Sequence, residues 1–263
     1  MTARKTKLLS GQTEVSTVNT NQTLILTDTN GKVTRISLSN LKKALFDGFD
    51  VNAAFDGVFI MFHRKSDDFP LAVMPQYWQS YQNSGEVAEG VLVIEGGRGL
   101  LIAPTEADSN GLLWSSADIN GNTVLGYYGD RQKAFTDFNG QQNTKNIIAA
   151  SKDTAITNTA TYAAGFCNLY SRVNANGKGM TAGRWWLPSI GELLMIYANM
   201  TKINYCLSLI SGATQLVRDW YWSSSECDAA NAWDLPLGDG DLRPWGTKSR
   251  LRSHVRAVSA FLQ

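Results

Sequence analysis

The stretch that decides the fold reads RWWLPSIGEL and covers residues 184–193. Ser189 and Glu192 form the S-x-x-E pattern of a capping box, in which a hydroxyl and a carboxylate bond the first amides of a helix. The apolar residues of 193–200 are spaced for one helical face. The residues therefore predict a helix that begins after Ser189, and 203–210 is expected to add further turns.

Short strands are predicted on the C-terminal side of this helix. Residues 219–223 (DWYWS), 232–235 (AWDL) and 255–261 (VRAVSAF) are apolar or aromatic enough for buried strands. Between the last two, residues 236–254 are rich in Gly, Asp, Pro and Arg and show neither a helical nor a strand period. That stretch is expected to be a surface loop.

On the N-terminal side, short apolar runs alternate with glycine-rich and asparagine-rich turns, and two helical patterns follow them. Four buried strands are predicted at 58–63, 71–74, 90–94 and 100–103. The segment EGGRG at 95–99 predicts a hairpin turn between the last two. Helices are predicted at 143–151 and 159–170.

The first fifty residues form a separate pattern. Two short strands, 23–27 and 32–38, flank an Asp-Thr-Asn-Gly turn, and a short helix is predicted at 40–46. A lone ββα module of this size has a marginal core. We therefore predict an attachment or oligomerisation module over 1–50, with a decorative extension as the alternative, followed by a second domain over 51–263.

Composition excludes several classes of protein. The 263 residues are 43% hydrophobic and carry a net charge of +1, which argues against nucleic-acid or anionic-membrane binding driven by total charge. No apolar run approaches the roughly 18 residues of a membrane span. The basic N-terminus lacks the apolar core of a secretory signal, so synthesis and release in a cytoplasm are expected.

Residues typical of catalytic or metal sites are sparse. The three cysteines are odd in number and widely spaced, a poor basis for a disulfide framework or a zinc site. Cys167 and Cys206 are expected to be buried on helices, and Cys227 is expected in a loop. No Ser/His/Asp set is identifiable, and Ser223, Ser224 and Ser225 lack the G-x-S-x-G context of a nucleophile elbow. Their hydroxyls are expected to pin the loop backbone.

An ordered set of motifs carries a family resemblance. Residues 184–193 are followed by YWSSSE at 221–226, by AW at 232–233 and by VRAV at 255–258. This order resembles the C-type-lectin-fold domains related to formylglycine-generating enzyme, over about 90–261. The resemblance implies an α+β fold with short antiparallel strands, two to four helices and long loops. It also implies that Trp185, Trp186, Trp222 and Trp233 are buried scaffold residues.

Within that family the chain is similar to the variable proteins of diversity-generating retroelements, which phages often carry. In those proteins a C-terminal segment, here about 219–256, is rewritten at the adenines of Asn codons. Residues 234–244 and 249–254 contain only amino acids that such rewriting can produce. Trp245 and Lys248 are the exceptions and would be fixed or differently coded.

The resemblance implies a non-enzymatic protein that binds a host cell-surface protein or glycan through a varied face on a rigid frame. Arg243, Arg250, Arg252 and Trp245 are the expected energetic hot spots. The predicted ligand-contacting residues are Cys227, Asp228, Ala229, Ala230, Asp234, Pro236, Gly238, Asp239, Asp241, Arg243, Trp245, Thr247, Ser249, Arg250, Arg252 and Ser253.

The first hypothesis is a receptor-recognition protein of a phage tail or virion. Its N-terminal module would bind other tail proteins, and a homo-oligomer, as a trimer, would multiply weak contacts. A bacterial surface or secreted adhesin of the same fold is the second hypothesis, and an oxidase of the formylglycine-generating type is the third. No catalytic residue, metal or cofactor is predicted. Calcium is not expected because the three loop carboxylates, Asp234, Asp239 and Asp241, are too few to bind it. Glu226 and Arg256 are expected to brace the face, by pairing or by bonding the backbone.

Overall fold

The computed structural model describes residues 56–121, 131–151 and 157–260, together with two strands near the N-terminus. The chain divides into two units, Met1–Val51 and Asn52–Gln263. In the first unit, β1 (Thr23–Thr27) pairs antiparallel with β2 (Val33–Ser37), as the sequence predicted. The predicted turn at 28–31 and the predicted helix at 40–46 lie outside the described residues.

The second unit contains a five-stranded antiparallel sheet. Its strands are β3 (Gly57–His63), β4 (Pro70–Val73), β5 (Gly90–Glu95), β6 (Arg98–Ile102) and β12 (Val258–Ser259), in the order β12-β6-β5-β3-β4. The predicted hairpin at 95–99 is confirmed, because β5 and β6 pair antiparallel and the turn residues Gly96 and Gly97 have positive φ. The predicted strand at 255–261 is reduced to the two residues of β12 in the described part of the chain.

A second, three-stranded sheet has the order β11-β10-β9. Its strands are β9 (Trp220–Glu226), β10 (Asn231–Pro236) and β11 (Arg243–Thr247), all antiparallel. A small pair, β7 (Arg172–Val173) and β8 (Gly179–Met180), precedes them in the chain. The first two strands of this sheet confirm the predicted strands at 219–223 and 232–235.

Five helices occur among the described residues, where two to four were predicted. They are α1 (Pro75–Asn83), α2 (Arg131–Phe135), α3 (Gly140–Ala150), α4 (Ala163–Leu169) and α5 (Ile190–Leu209). The sequence reading missed α1 because it carries few aliphatic side chains, and Trp78 is its one buried residue. The five-residue α2 is too short to produce a periodic pattern.

Helix α5 connects the two sheets. The capping box at its start is present, and the Glu192 carboxylate accepts a 2.8 Å hydrogen bond from the Ser189 amide, as predicted. The helix contacts β3 and β5 of one sheet and β9 and β10 of the other. Buried side chains from both sheets therefore join those of α5 in one hydrophobic core. The α+β class is thus confirmed. The three-stranded sheet packs against this core through β9 and β10.

Candidate ligand-binding face

The edge strand β11 and the segment that follows it carry the predicted hot spots. Along β11, Arg243, Trp245 and Thr247 are partly or fully exposed, while Pro244 and Gly246 are buried. This alternation is the period of a strand with one face on the core. The prediction of an irregular surface loop over 236–254 is therefore wrong at 243–247, and it is also wrong at Pro236, the last residue of β10. Pro and Gly mask the pattern in the sequence, yet the sheet tolerates them because β11 is an edge strand.

Gly246 fixes the depth at which β11 lies on the core. A Cβ atom at this position would fall 2.4 Å from Cζ3 of Trp222 and could not be accommodated without movement. Trp222 is itself fully buried, and its Nε1 donates a 2.9 Å hydrogen bond to the carbonyl of Leu112. The backbone of β11 therefore packs directly against the buried Trp222 at Gly246.

A cleft of about 250 Å³ opens on this face. We call it the indole cleft. The residues that line it are Trp220, Asp234, Arg243, Trp245, Gly246, Leu251, Arg252 and Ser253. Five of them, Asp234, Arg243, Trp245, Arg252 and Ser253, belong to the predicted ligand-contacting set. Trp220, Gly246 and Leu251 were not predicted. Trp220 directly precedes the YWSSSE motif, which is the signal that could have revealed it.

Arg243 is positioned by contacts on three sides. Its register partner across the β10–β11 pair is Asp234. Its guanidinium carbon lies 4.2 Å from the ring centroid of Trp220, a cation–π distance. Its Nε lies 3.3 Å from a carboxylate oxygen of Asp241. The guanidinium is therefore held over one indole of the cleft.

Asp234 is the buried polar group of the cleft. The residue is only 5% exposed, and its Oδ1 has no hydrogen-bond partner among the described residues. Burial raises the pKa of Asp234 to about 7, and the positive charge of Arg243 offsets part of that rise. Ionisation of this buried carboxyl group is unfavourable, and one of its oxygens lacks a hydrogen bond within the described part of the chain. A ligand can supply that hydrogen bond.

The raised pKa of Asp234 predicts that replacing this residue increases the stability of the folded chain, by an amount that depends on pH. Because its pKa is higher in the folded chain than its ordinary 3.8, the folded state binds more protons from about pH 4 to pH 7. Its contribution to stability therefore falls as pH rises through that window. The whole shift corresponds to at most about 4 kcal/mol.

We expect Asp234→Asn to be more stable than the unmodified chain by about 2 kcal/mol at pH 8, since the buried amide recovers only part of the difference. The advantage should shrink to near zero at pH 4. Denaturant melts of both proteins at several pH values measure it, with the exposed Asp239→Asn as control. A gain that does not change with pH would contradict this assignment.

Arg252 and Ser253 hold the segment after β11 to the framework. Arg252 is exposed and donates from Nη1 to the carbonyl of Gly111 at 3.2 Å. Ser253 is buried and exchanges two backbone hydrogen bonds with Leu112, of 3.0 and 3.2 Å. Of the two, only Arg252 presents a largely free side chain to a ligand.

The remaining predicted residues differ in accessibility. Asp228, Ala230, Thr247 and Ser249 are half-buried, and Ala229, Gly238, Asp239, Asp241 and Arg250 are exposed. Cys227 and Pro236 are buried and do not line the indole cleft. The exposed members belong to the same part of the chain as the cleft but are not themselves in it.

A buried ion pair lies beneath the face. Lys248 and Glu226 have fully buried side chains, and Nζ lies 2.6 Å from Oε1. Nζ also bonds the carbonyls of Ile119 and Asp228, at 2.8 and 2.7 Å, and Oε2 of Glu226 accepts from the Gly121 amide at 2.9 Å. Burial lowers the pKa of Lys248, while the charge of Glu226 opposes that shift. Lys248 thus ties three segments together.

The expected brace between Glu226 and Arg256 takes a different form. Pairing between them is wrong, because Glu226 pairs with Lys248 and Arg256 lies 3.5 Å from Glu106. Arg256 does bond the backbone, at the carbonyls of Ala103 and Thr214. The same Glu106 carboxylate accepts from the hydroxyl of Tyr221 at 3.0 Å. Burial raises the pKa of that hydroxyl.

The serine hydroxyls bond backbone groups, as predicted, but the run lies in strand β9 and the bonded backbone belongs to a strand and a helix, so the predicted loop is wrong. Ser223 Oγ donates to the carbonyl of Trp233 at 2.6 Å. Ser225 Oγ accepts from the amide of Ile190 at 3.0 Å, at the first residue of α5. The run therefore joins β9 to β10 and to the start of the central helix.

The three cysteines are buried and form no disulfide among the described residues. Cys167 lies in α4 and Cys206 in α5, as predicted, and Cys227 follows the last residue of β9. Burial raises the pKa of Cys206 to about 11. In the part of the chain that the structure describes, no three His, Cys, Asp or Glu side chains converge as a metal site.

Comparison with known proteins shows a distant structural similarity. No family model matches the sequence, and no curated protein matches it. A fimbrial protein from Bacteroides ovatus is similar in structure, with a TM-score of 0.46 and 14% identity. The alignment covers 90% of this chain and 48% of that chain, so this chain spans about half its length. None of the described helices is of a length and hydrophobicity that would span a membrane.

Proposed function

We propose that this chain is a non-enzymatic ligand-binding protein whose binding face is formed by the edge strand β11, the adjoining residues Trp220 and Asp234, and the segment that follows β11. The observation that carries the proposal is the indole cleft. It brings two tryptophans, two arginines and an incompletely bonded carboxyl together on one exposed surface. Trp and Arg are the residues that supply most of the energy at binding sites.

The layer beneath the face supports the same conclusion. Trp222 in β9 and Trp233 in β10 are both fully buried, and the Lys248–Glu226 pair anchors the end of β11. Rigid support of this kind lowers the entropy lost when a ligand orders the surface. The face therefore joins exposed, replaceable side chains to a framework that does not depend on them.

The biological setting remains a proposal that rests on the family resemblance. We propose a C-type-lectin-like domain of a diversity-generating retroelement, acting as a phage-tail or virion receptor-recognition protein. Its N-terminal module would bind other tail proteins in a trimer, and the partner would be a host cell-surface protein or glycan. A bacterial surface adhesin is the alternative setting. A near-identical template copy beside the gene, differing only at adenines, distinguishes the retroelement setting from an ordinary adhesin.

The oxidase hypothesis gains no support from the described residues. Cys206 and Cys227 are both buried, and no disulfide joins them. The raised pKa of Cys206 leaves little thiolate at neutral pH, and the thiolate is the reactive form. Binding through the face is the function that the geometry favours.

Binding of the fluorescently labelled full chain to a panel of intact bacterial strains tests the proposal. We expect Trp245→Ala, Arg250→Ala and Arg252→Ala each to lower the affinity for the strains that bind by about tenfold or more. Their thermal midpoints should change by no more than about 2 °C, because all three side chains are exposed.

Matched controls come from α5. Tyr205 and Lys202 are exposed there and do not line the cleft. Tyr205→Ala and Lys202→Ala should bind like the unmodified chain. Equal losses from the α5 variants, or no binding to any strain, would overturn the proposed face.

A further inference from the structure

Resting on the proposed function above, we propose that the indole cleft binds one uncharged sugar ring of a surface glycan, held directly by its side chains. The ring would lie against the indole of Trp245. Its hydroxyl groups would bond Asp234 on one side and the guanidinium groups of Arg243 and Arg252 on the other.

The size of the cleft favours a small, compact group. Its volume of about 250 Å³ lies below the roughly 300–1,000 Å³ of pockets that take drug-sized ligands. One ring can enter such a cleft, whereas a folded protein surface would have to cover it from outside. The occupant is therefore expected to be a single ring that projects from a larger molecule.

The aromatic groups provide an apolar wall. Trp245 is 42% exposed, a large fraction for an indole, and it projects outward from the edge strand. Trp220 already has Arg243 stacked on it. The negative face of an indole attracts weakly positive C–H groups, and a sugar ring presents several of these on one side. The exposed indole thus suits the C–H face of a sugar.

The polar groups call for a ligand that both donates and accepts hydrogen bonds. Asp234 has an oxygen without a donor, and its residue is more than nine-tenths buried. Arg252 donates from Nη1 to the Gly111 carbonyl, and Arg243 donates from Nε to Asp241, which leaves N–H groups of both side chains for a ligand. A hydroxyl group can donate to the carboxyl and accept from a guanidinium at the same time.

Charge distinguishes the sugar from other small groups. A ligand carboxylate would bond the two arginines but would be repelled by the ionised form of Asp234. A ligand ammonium would bond Asp234 but would be repelled by Arg243, its register partner across the strands. An uncharged polyhydroxyl ring satisfies both kinds of group without either repulsion.

A printed array of neutral and acidic glycans, probed with the labelled full chain, tests the inference. Titration with the matching methyl glycoside, followed by tryptophan fluorescence, then gives affinities for the variants. We expect binding to neutral sugars. Trp245→Ala and Asp234→Asn should each lower the affinity about tenfold or more, while Trp245→Phe keeps an aromatic wall and should lose much less. Tyr205→Ala should bind normally.

A second arm separates this inference from the proposed function. Strains that bind the chain are treated with periodate, which cleaves the vicinal diols of sugars, or with protease. Loss of binding after periodate, together with a neutral-sugar signal on the array, supports the inference. Binding that survives periodate, disappears after protease and still requires Trp245 would overturn the sugar while leaving the binding face intact. Binding that does not require Trp245 would overturn both.

Discussion

Lys248→Met is expected to lower the free energy of unfolding by about 3–5 kcal/mol, the usual cost of removing one partner from a buried ion pair. Methionine keeps most of the side-chain length but removes the charge that Glu226 meets at 2.6 Å. It also removes the donor to the carbonyls of Ile119 and Asp228 and the cation 4.4 Å from the ring centroid of Trp114. The Glu226 carboxylate would then be buried without its counter-ion.

Chemical denaturation followed by tryptophan fluorescence measures this effect in the second unit, since all eight tryptophans lie between residues 78 and 245. Lys202→Met on the exposed surface of α5 is the matched control and should change stability by less than about 0.5 kcal/mol. Combining Lys248→Met with Glu226→Gln should recover part of the loss, because no uncompensated charge remains. A cost for Lys248→Met as small as that of the control would mean that the pair does not hold the face.

Trp222→Ala and Trp233→Ala are expected to destabilise the second unit by about 3–5 kcal/mol each, because both indoles are fully buried. Trp245→Ala, at 42% exposure, is the control within the same sheet and should change stability by no more than about 1 kcal/mol. Thermal and denaturant unfolding of the three variants make the comparison. Equal losses from all three would refute the division into framework and face.

Phenylalanine variants sharpen the second prediction. The Trp222 indole donates to the Leu112 carbonyl, whereas Nε1 of Trp233 has no hydrogen-bond partner among the described residues. Trp222→Phe would remove one of the two donors to that carbonyl, the other being the Ser253 amide, at an extra cost of about 0.5–1.5 kcal/mol. Trp233→Phe loses ring volume alone and should be the milder change. The reverse order would contradict the hydrogen-bond assignment.

Local patterns sufficed for much of the fold. The capping box of Ser189 and Glu192 located the start of α5, and the apolar runs located β3 to β6. Helix α1 was not predicted because a single side chain, Trp78, joins it to the core. One buried residue gives no periodic pattern in the sequence. Strand β11 was missed because Pro244 and Gly246 disfavour strands unless a partner strand and a core tryptophan are already in place.

The exposed residues of the candidate site could be predicted from the sequence, whereas the buried contacts that support them could not. Trp245 and Arg252 could be chosen from their chemistry and their place in the sequence. The partner of Glu226 could not, since Lys248 and Arg256 are both basic and close to it in sequence. Only the folded chain shows that Arg256 meets Glu106, some 150 residues earlier. Under the family resemblance, Lys248 is a residue that adenine rewriting cannot produce. The complete burial of its side chain gives a structural reason for a lysine at this position.

The alternation along β11 has a practical consequence for protein engineering. Positions 243, 245 and 247 project outward, while 244 and 246 rest on the core. A combinatorial library that randomises the odd positions and retains the even ones would alter recognition without touching the packing on Trp222. Inserting one residue before Arg243 would instead exchange the two sets and drive a tryptophan into the core. This short strand is therefore a natural cassette for selecting new binding specificities.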